Sequence, residues 1–229
     1  ILWFLNYVVG TIEGLPFATS NIYITQVEFL ALFGIIICCV SLWFIPKKRY
    51  LFVGVGLTVL LLSSFTFRKS NHVKQQQIIV YDIRGHTAID FIFGNKSVFL
   101  CDTALLNDPG KINYKVNGHR ISSAIKQSEC IGVNEEVFKN EWFIKKDGFI
   151  NYDGKTILLI KENFNYNKSD RLFQADVLIL SGTPRYSLKQ LLDSFKFDRL
   201  VLDASFSRWK KKEWKQECEQ MGVDCYSVS

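Results

Sequence analysis

The chain has 229 residues, 48% of them hydrophobic and 22% charged, with 14 Gly and 4 Pro. These proportions exclude a disordered, fibrous or low-complexity protein. The net charge of +6 is unevenly placed. Residues 1–74 hold two acids, Glu13 and Glu28, against six bases, and residues 75–229 hold 20 acids against 22 bases. The first third is therefore apolar with a charge of +4, and the remainder has the composition of a soluble domain with +2. The chain starts Ile1-Leu2-Trp3-Phe4 inside an apolar stretch, and its one Met is Met221. It reads as the C-terminal portion of something longer.

In residues 1–21, Leu2, Trp3, Leu5, Tyr7, Val8, Val9 and Ile12 are apolar, with Asn6 and Glu13 interposed. This is the end of an earlier spanning helix or an amphipathic helix in the interface, closed by Gly14-Leu15-Pro16. Residues 22–74 follow. Ile22 to Ile45 carries one charge, Glu28, and the stretch from Phe29 to Ile45 is 17 uncharged residues. Residues 50–67 are 18 more without a charge, closed by Arg68 and Lys69. Spans of about 20 apolar residues cross a bilayer, and a helix apolar on every face has no place in a small soluble domain. The expectation is two transmembrane helices joined by a four-residue basic turn, Pro46 to Arg49. Lys47, Lys48 and Arg49 place that turn in the cytoplasm, although Arg68, Lys69 and Lys74 nearly balance it.

From residue 75 to 229 the periodicity is that of strands and then of alternating strands and helices. Ile78–Ile83, Ala88–Phe93 and Ser97–Asp102 form a three-stranded meander, turning at Gly94-Asn95-Lys96. Trp142–Lys145, Phe149–Tyr152 and Lys155–Ile160 are strands, with a turn at Asp153-Gly154. Ala175–Leu180 is a buried strand. Ser187–Phe197 has helical spacing, with Leu188, Leu191, Leu192 and Phe195 on one face. Leu200–Leu202 is a strand, Lys210–Met221 a helix with Trp214, Cys218 and Met221 on one side, and Val223–Val228 a last strand. Ala104–Lys139 is polar and shows no clear pattern. The class is mixed α/β.

His72, His86 and His119 share no short spacing, and no Cys-x-x-Cys pair occurs. No three-ligand zinc pattern is present, nor a Gly-rich phosphate loop or a Gly-x-Ser-x-Gly elbow. No metal and no cofactor are expected. The six cysteines read as buried thiols, with a Cys218–Cys225 disulfide as the alternative for that pair in an extracytoplasmic domain. Asp82, Asp90 and Asp102 lie on neighbouring strands; they either converge at strand ends or are separate solvated carboxylates. Arg208-Trp209-Lys210-Lys211-Lys212, with Trp214 and Lys215, interleaves bases with indoles. That pattern suits single-stranded nucleic acid, where phosphate charge and base stacking both contribute; the competing reading is a lysine-rich solvated helix face.

Taken together the segments resemble a known family. Phe4 to Phe17, running into Asn21-Ile22-Tyr23-Ile24, is similar to the end of the competence membrane domain of ComEC, the DNA-uptake channel protein, in its Bacteroidetes type. Tyr81 to Ile89, Phe99 to Ala104, Asp176 to Thr183 and Leu200 to Val228 resemble, in order, the motifs of that family's C-terminal metallo-β-lactamase-like domain. The chain departs from the family pattern where metal is bound. The His-x-His-x-Asp-His motif after Asp102 is missing, and Ser181-Gly182-Thr183 stands in place of the later His pair. The resemblance therefore implies a membrane-anchored α/β chain: two transmembrane helices, then a degenerate metallo-β-lactamase-like domain of αββα type. It implies a multi-pass protein of the bacterial inner membrane with that domain in the periplasm. Its partners would be single-stranded DNA, the lipid bilayer, the rest of a ComEC-like channel and other competence proteins. The rival functions are a metal-dependent nuclease built on Asp82, Asp90, Asp102 and His86, and an interaction module without DNA contact.

Overall fold

The computed structural model describes residues 2–13, 23–44, 47–161, 172–182 and 186–228. The chain divides into two compact units, Ile1–Ser70 and Asn71–Ser229.

The first unit is helical. Helix α1 (Leu2–Glu13) has 12 residues, about 18 Å at 1.5 Å per residue. The Gly14-Leu15-Pro16 stop lies outside the described residues. Helices α2 (Gln26–Phe44) and α3 (Lys48–Val73) are 19 and 26 residues long, and both are long and apolar enough to span a bilayer. Lys48 and Arg49 form the first turn of α3 rather than a free loop, because a chain that has just left one helix needs few residues to begin the next. Pro46 lies outside the described residues. Large apolar side chains point outward along both helices, among them Phe29, Phe33, Ile36, Phe52 and Leu62. The one acid of α2, Glu28, is sealed from solvent and held by Arg68 at 3.0 Å. Ser64 adds a hydrogen bond to the same carboxylate at 3.2 Å. A buried carboxylate needs such partners, because an unpaired charge away from solvent is costly. The helices also approach closely: a Cβ on Gly34 would stand 2.9 Å from the Leu57 side chain, the kind of contact small residues permit.

The second unit contains eleven strands and four further helices among the described residues. Strands β1 (Gln76–Val80), β2 (Ala88–Phe93) and β3 (Lys96–Cys101) form the expected antiparallel meander. The unpatterned stretch then resolves into α4 (Thr103–Leu106), α5 (Pro109–Ser122), β4 (Gln127–Gly132) and β5 (Val137–Lys139). Strand β4 lies parallel to β3, which completes a four-stranded sheet in the order β1-β2-β3-β4. Next come β6 (Phe143–Lys146), β7 (Phe149–Tyr152), β8 (Lys155–Ile160), β9 (Phe173–Leu180), α6 (Leu188–Ser194), β10 (Phe195–Leu202), α7 (Arg208–Met221) and β11 (Cys225–Ser227). The second sheet runs β11-β10-β9-β8-β7-β6-β5, antiparallel from β5 to β8 and parallel from β8 to β11. Asp153 and Gly154 both take positive φ, 48° and 80°, as a tight hairpin turn between twisted strands demands.

The period of two along each strand sets the layers. Ile89, Phe91, Val98 and Leu100 of the first sheet meet Ile157, Leu159 and Ile179 of the second in one core between the sheets. The alternate residues face outward: Phe99 and Cys101 pack with Leu105 and Val116 of α4 and α5. On the other side, Leu158, Leu178 and Leu200 pack with Leu188, Leu191, Trp214 and Cys218 of α6 and α7. The unit is thus an α-β-β-α sandwich. The helical stretch expected to reach Phe197 stops at Ser194, because Phe195 to Phe197 pair with Phe173 to Ala175. Trp214 and Cys218 share the buried face of α7 as their spacing predicts, while Met221 is exposed. Cys38, Cys101 and Cys218 are buried; Cys39 and Cys130 are exposed, so the buried-thiol reading fails for those two.

Asp90 is neither a strand-end nor a solvated group. It sits in the middle of β2, fully buried on the face covered by α5, where Arg120 donates to it at 3.0 Å. The Arg120 guanidinium also lies 4.7 Å from the centre of the Phe99 ring. Burial pushes the Asp90 carboxyl up, against the pull of Arg120. Replacing Arg120 with Met should destabilise the domain by about 3–5 kcal/mol, because it leaves a buried carboxylate without its charged partner, with only the Tyr81 hydroxyl donating at 3.4 Å. That penalty should shrink as pH falls from neutral into the acid range, as Asp90, already pushed up by burial, takes up a proton instead. Unfolding of the wild type and Arg120→Met across that range is the measurement; an equal penalty at both ends would refute the assignment.

Candidate functional site

A cleft of 1290 Å³ opens at one end of the sandwich. Three segments form it: Asp82 to Gly85 after β1, the first half of α5, and the chain from Ala204 through Lys215 with Ser227 beside it. Two of these, the connections from β3 and from β10, leave the carboxyl ends of parallel strands, the usual place for a binding crevice in an α/β sheet. Gly85 adopts φ 78° and its N–H donates to the Ala204 carbonyl at 3.0 Å. That bond ties the loop of the first sheet to the loop of the second.

A buried polar cluster forms the adjoining floor. Thr87 precedes β2, Ser181 follows β9 and Asp203 follows β10. The Thr87 hydroxyl donates to Asp203 at 2.6 Å and lies 2.5 Å from the Ser181 hydroxyl. The Ser205 amide donates to the other Asp203 oxygen at 3.0 Å, and the Ser205 hydroxyl does so as well. Asp203 is fully buried, and burial pushes its carboxyl up while these hydrogen bonds pull it down. Nearby, His86 Nδ1 sits 3.0 Å from Asp102. Asp102 also caps α4, accepting the Leu105 N–H at 2.9 Å.

These groups do not fit a hydrolytic zinc centre. Such a centre takes about three protein ligands, mostly imidazoles, and here one imidazole is present with hydroxyls already bonded to a carboxylate. Among the described residues no three His, Cys, Asp or Glu side chains gather as a ligand set. The three strand acids stay apart. Asp82 is an exposed cleft residue, Asp90 is sealed against Arg120, and Asp102 is occupied by His86 and the α4 cap. Thr183 lies outside the described residues.

The walls of the cleft are basic. Arg84, Lys111, Lys115, Arg208, Lys211, Lys212 and Lys215 line it, against the acids Asp82 and Asp108. Four of the seven residues proposed from sequence are therefore cleft residues: Arg208, Lys211, Lys212 and Lys215. Lys210 lies outside the lining. Trp209 is exposed at 71%, in the first turn of α7. Trp214 is a correction: it is buried in the core with Phe206 at 6.2 Å between ring centres, so no base can stack on it. The first turn of α7 has no acid, so its cations add to the positive end of the helix dipole rather than offset it. The sequence reading missed the opposite wall, where α5 presents Lys111, Lys115 and the 84% exposed ring of Tyr114. Its signal was a Lys-x-x-Tyr-Lys run just after a Pro-Gly helix start.

A family model described as the ComEC C-terminal domain matches residues 78–229. The chain belongs to that family. No curated protein and no solved structure matches it.

The buried cluster makes a pH prediction. In the folded domain Asp203 keeps its proton to higher pH than the ordinary carboxylate value of 3.8. The folded state then binds more protons than the unfolded chain, so the stability contributed here is present at low pH. It is lost as pH rises from 3.8 through the raised folded value. The slope should reach at most about 1.4 kcal/mol per pH unit. Asp203→Asn should remove this component and leave that of Asp90, which burial raises in the same way. Unfolding free energies measured across the acid range check it; an unchanged slope would sink the assignment.

Proposed function

We propose that this ComEC-family chain is the C-terminal portion of an inner-membrane channel that takes up single-stranded DNA during natural transformation. Its α/β domain guides the strand electrostatically and does not cut it. Family membership supports the competence and DNA-uptake context. The observation that carries the guiding role is the cleft with seven bases and two acids on its walls. Phosphates bound there would release condensed counterions, the main source of affinity for a polyanion. Tyr114 and Trp209, both exposed, supply faces on which bases stack.

The α-β-β-α layering agrees with a degenerate metallo-β-lactamase-like domain, and the hydroxyl-rich floor agrees with a site that has given up its metal. The rival nuclease reading needs Asp82, Asp90, Asp102 and His86 to act on one metal; the burial of Asp90 against Arg120 counts against it. Helices α2 and α3 would anchor the domain in the bilayer, with the basic turn in the cytoplasm and the domain in the periplasm. That orientation follows from the three bases at the turn and from the family resemblance.

Binding of a single-stranded oligonucleotide, titrated against salt, tests the guiding role. Changing Lys211, Lys212 and Lys215 to Gln should make the slope of log affinity against log salt shallower by about 2, at about 0.7 per phosphate contact on a single strand. Lys210→Gln, outside the cleft, should leave it nearly unchanged. Tyr114→Ala should cost about 1–3 kcal/mol of binding if a base stacks there, with the melting temperature unaltered. A slope insensitive to the triple change would favour the interaction module, and strand cleavage on adding divalent metal would favour the nuclease.

Orientation is tested by fusions after Val228. A phosphatase reporter, active only outside the cytoplasm, should be on; activity from a cytoplasm-dependent reporter at that site would reverse the topology.

A further inference from the structure

Helix α7 and strand β11 are joined by three residues, and the joint is closed by its own hydrogen bonds. Gly222 caps the helix in the left-handed conformation, φ 67°, and the Val223 N–H donates to the Cys218 carbonyl at 2.9 Å. This turn brings Cys225, at the start of β11, back over the last turns of α7. Cys225 packs on the same core cluster that contains Cys218. Cys218, in the last turns of α7, and Cys225, the first residue of β11, are thus held in the same packed cluster on either side of a closed three-residue turn. Strand β11 is short and has one neighbour, β10, through Leu200 to Leu202. Yet it borders the cleft: Ser227 lines it, and Lys211 donates to the Val228 carbonyl.

We propose that Cys218 and Cys225 are a disulfide-forming pair that staples β11, and with it one margin of the basic cleft, to α7. The two sulfurs have different roles. Cys225 is partly exposed and Cys218 is 1% exposed, so an external disulfide reaches Cys225 first. The neighbouring Cys218 thiol and the positive charge of Lys215 both pull the Cys225 thiol down; the thiolate is the attacking form. The oxidant is a disulfide, either that of a protein thiol–disulfide oxidoreductase or oxidised glutathione. The Cys225 thiolate attacks one of its sulfurs, forms a mixed disulfide and expels the first thiolate, which takes up a proton. Cys218 then gives up its proton and attacks the Cys225 sulfur, expelling the second thiolate. Two protein thiols are oxidised, one external disulfide is reduced to two thiols, and the protons end on them. The pair stands independently of DNA binding.

The full chain, purified in detergent micelles, is incubated with oxidised glutathione, unfolded in the presence of an alkylating agent and digested with trypsin. No Lys or Arg follows Lys215, so both cysteines fall in one peptide, Gln216–Ser229. The expected product is that peptide unalkylated and two hydrogens lighter, becoming doubly alkylated after reduction. Cys218→Ser should stop at the mixed disulfide, with glutathione retained on Cys225. Amide hydrogens of residues 225–228 should exchange at least several-fold more slowly in the oxidised wild type than in the reduced one. A wild-type peptide still alkylated at both cysteines, or one that keeps glutathione on Cys225, would overturn the pair. Equal exchange in the two states would overturn the staple. The wild-type arms decide both points even if the variant folds poorly.

Discussion

The α/β domain depends on one carboxylate. Asp203 is out of reach of water and has no cation within its hydrogen-bonding set; hydroxyls and an amide satisfy it instead. Those donors are Thr87, just before β2, and Ser205, three residues beyond β10, and Thr87 passes the contact on to the end of β9. A buried carboxyl left unsatisfied would cost several kcal/mol, so the strand ends must meet at this point for the fold to form. Between the sheets the contact is otherwise mainly apolar packing, with the Tyr152 hydroxyl donating to the Ile92 carbonyl and the Gly85 N–H to the Ala204 carbonyl. The polar cluster gives the sandwich one fixed end, and the loops that leave it bound the cleft.

The cleft is built from residues with no short-range relation. Lys111, Tyr114 and Lys115 ride on the crossover between the parallel strands β3 and β4; Lys211, Lys212 and Lys215 ride on the crossover between β10 and β11. Each crossover covers the outer face of its own sheet, so the helices stand on opposite sides of the sandwich. Their starts come together only at the end where Gly85 meets Ala204. Both helices spend one face on the core and leave lysines on the other. Anchor and charge are therefore separable on α7: Trp214 holds the helix, and its neighbour Lys215 faces the cleft.

Much of this was legible in the residues. The meander, the Asp153-Gly154 turn and the strands from Phe149 to Ile160 follow from alternation and turn chemistry, because each is half or fully buried on a period of two. The stretch from Ala104 to Lys139 was not legible. Helix α5 buries Val116 alone, and β4 is exposed over most of its length, so neither shows an apolar period. Phe195 fits the helical face of Leu188 and Leu191 equally well, and only pairing with β9 assigns it to a strand. Arg208 to Lys215 stood out by composition, which does not distinguish Trp209 from Trp214. The four-residue spacing of Trp214 from Cys218 does, since both must lie on the core side. Asp203 was readable as an acid directly after an apolar strand and two residues before a serine, but its partners Thr87 and Ser181 lie far away in the chain.

Seven cations facing one another across a cleft repel, and three of them occupy the first turns of a helix whose dipole opposes them. The folded domain carries this repulsion whenever the cleft holds only water. Any polyanion that enters removes it, so occupancy and folding draw on the same free energy. Mobile salt does part of the same work by screening. Ionic strength therefore acts on this domain in two opposed directions: it strengthens the empty fold while it competes away whatever fills the cleft.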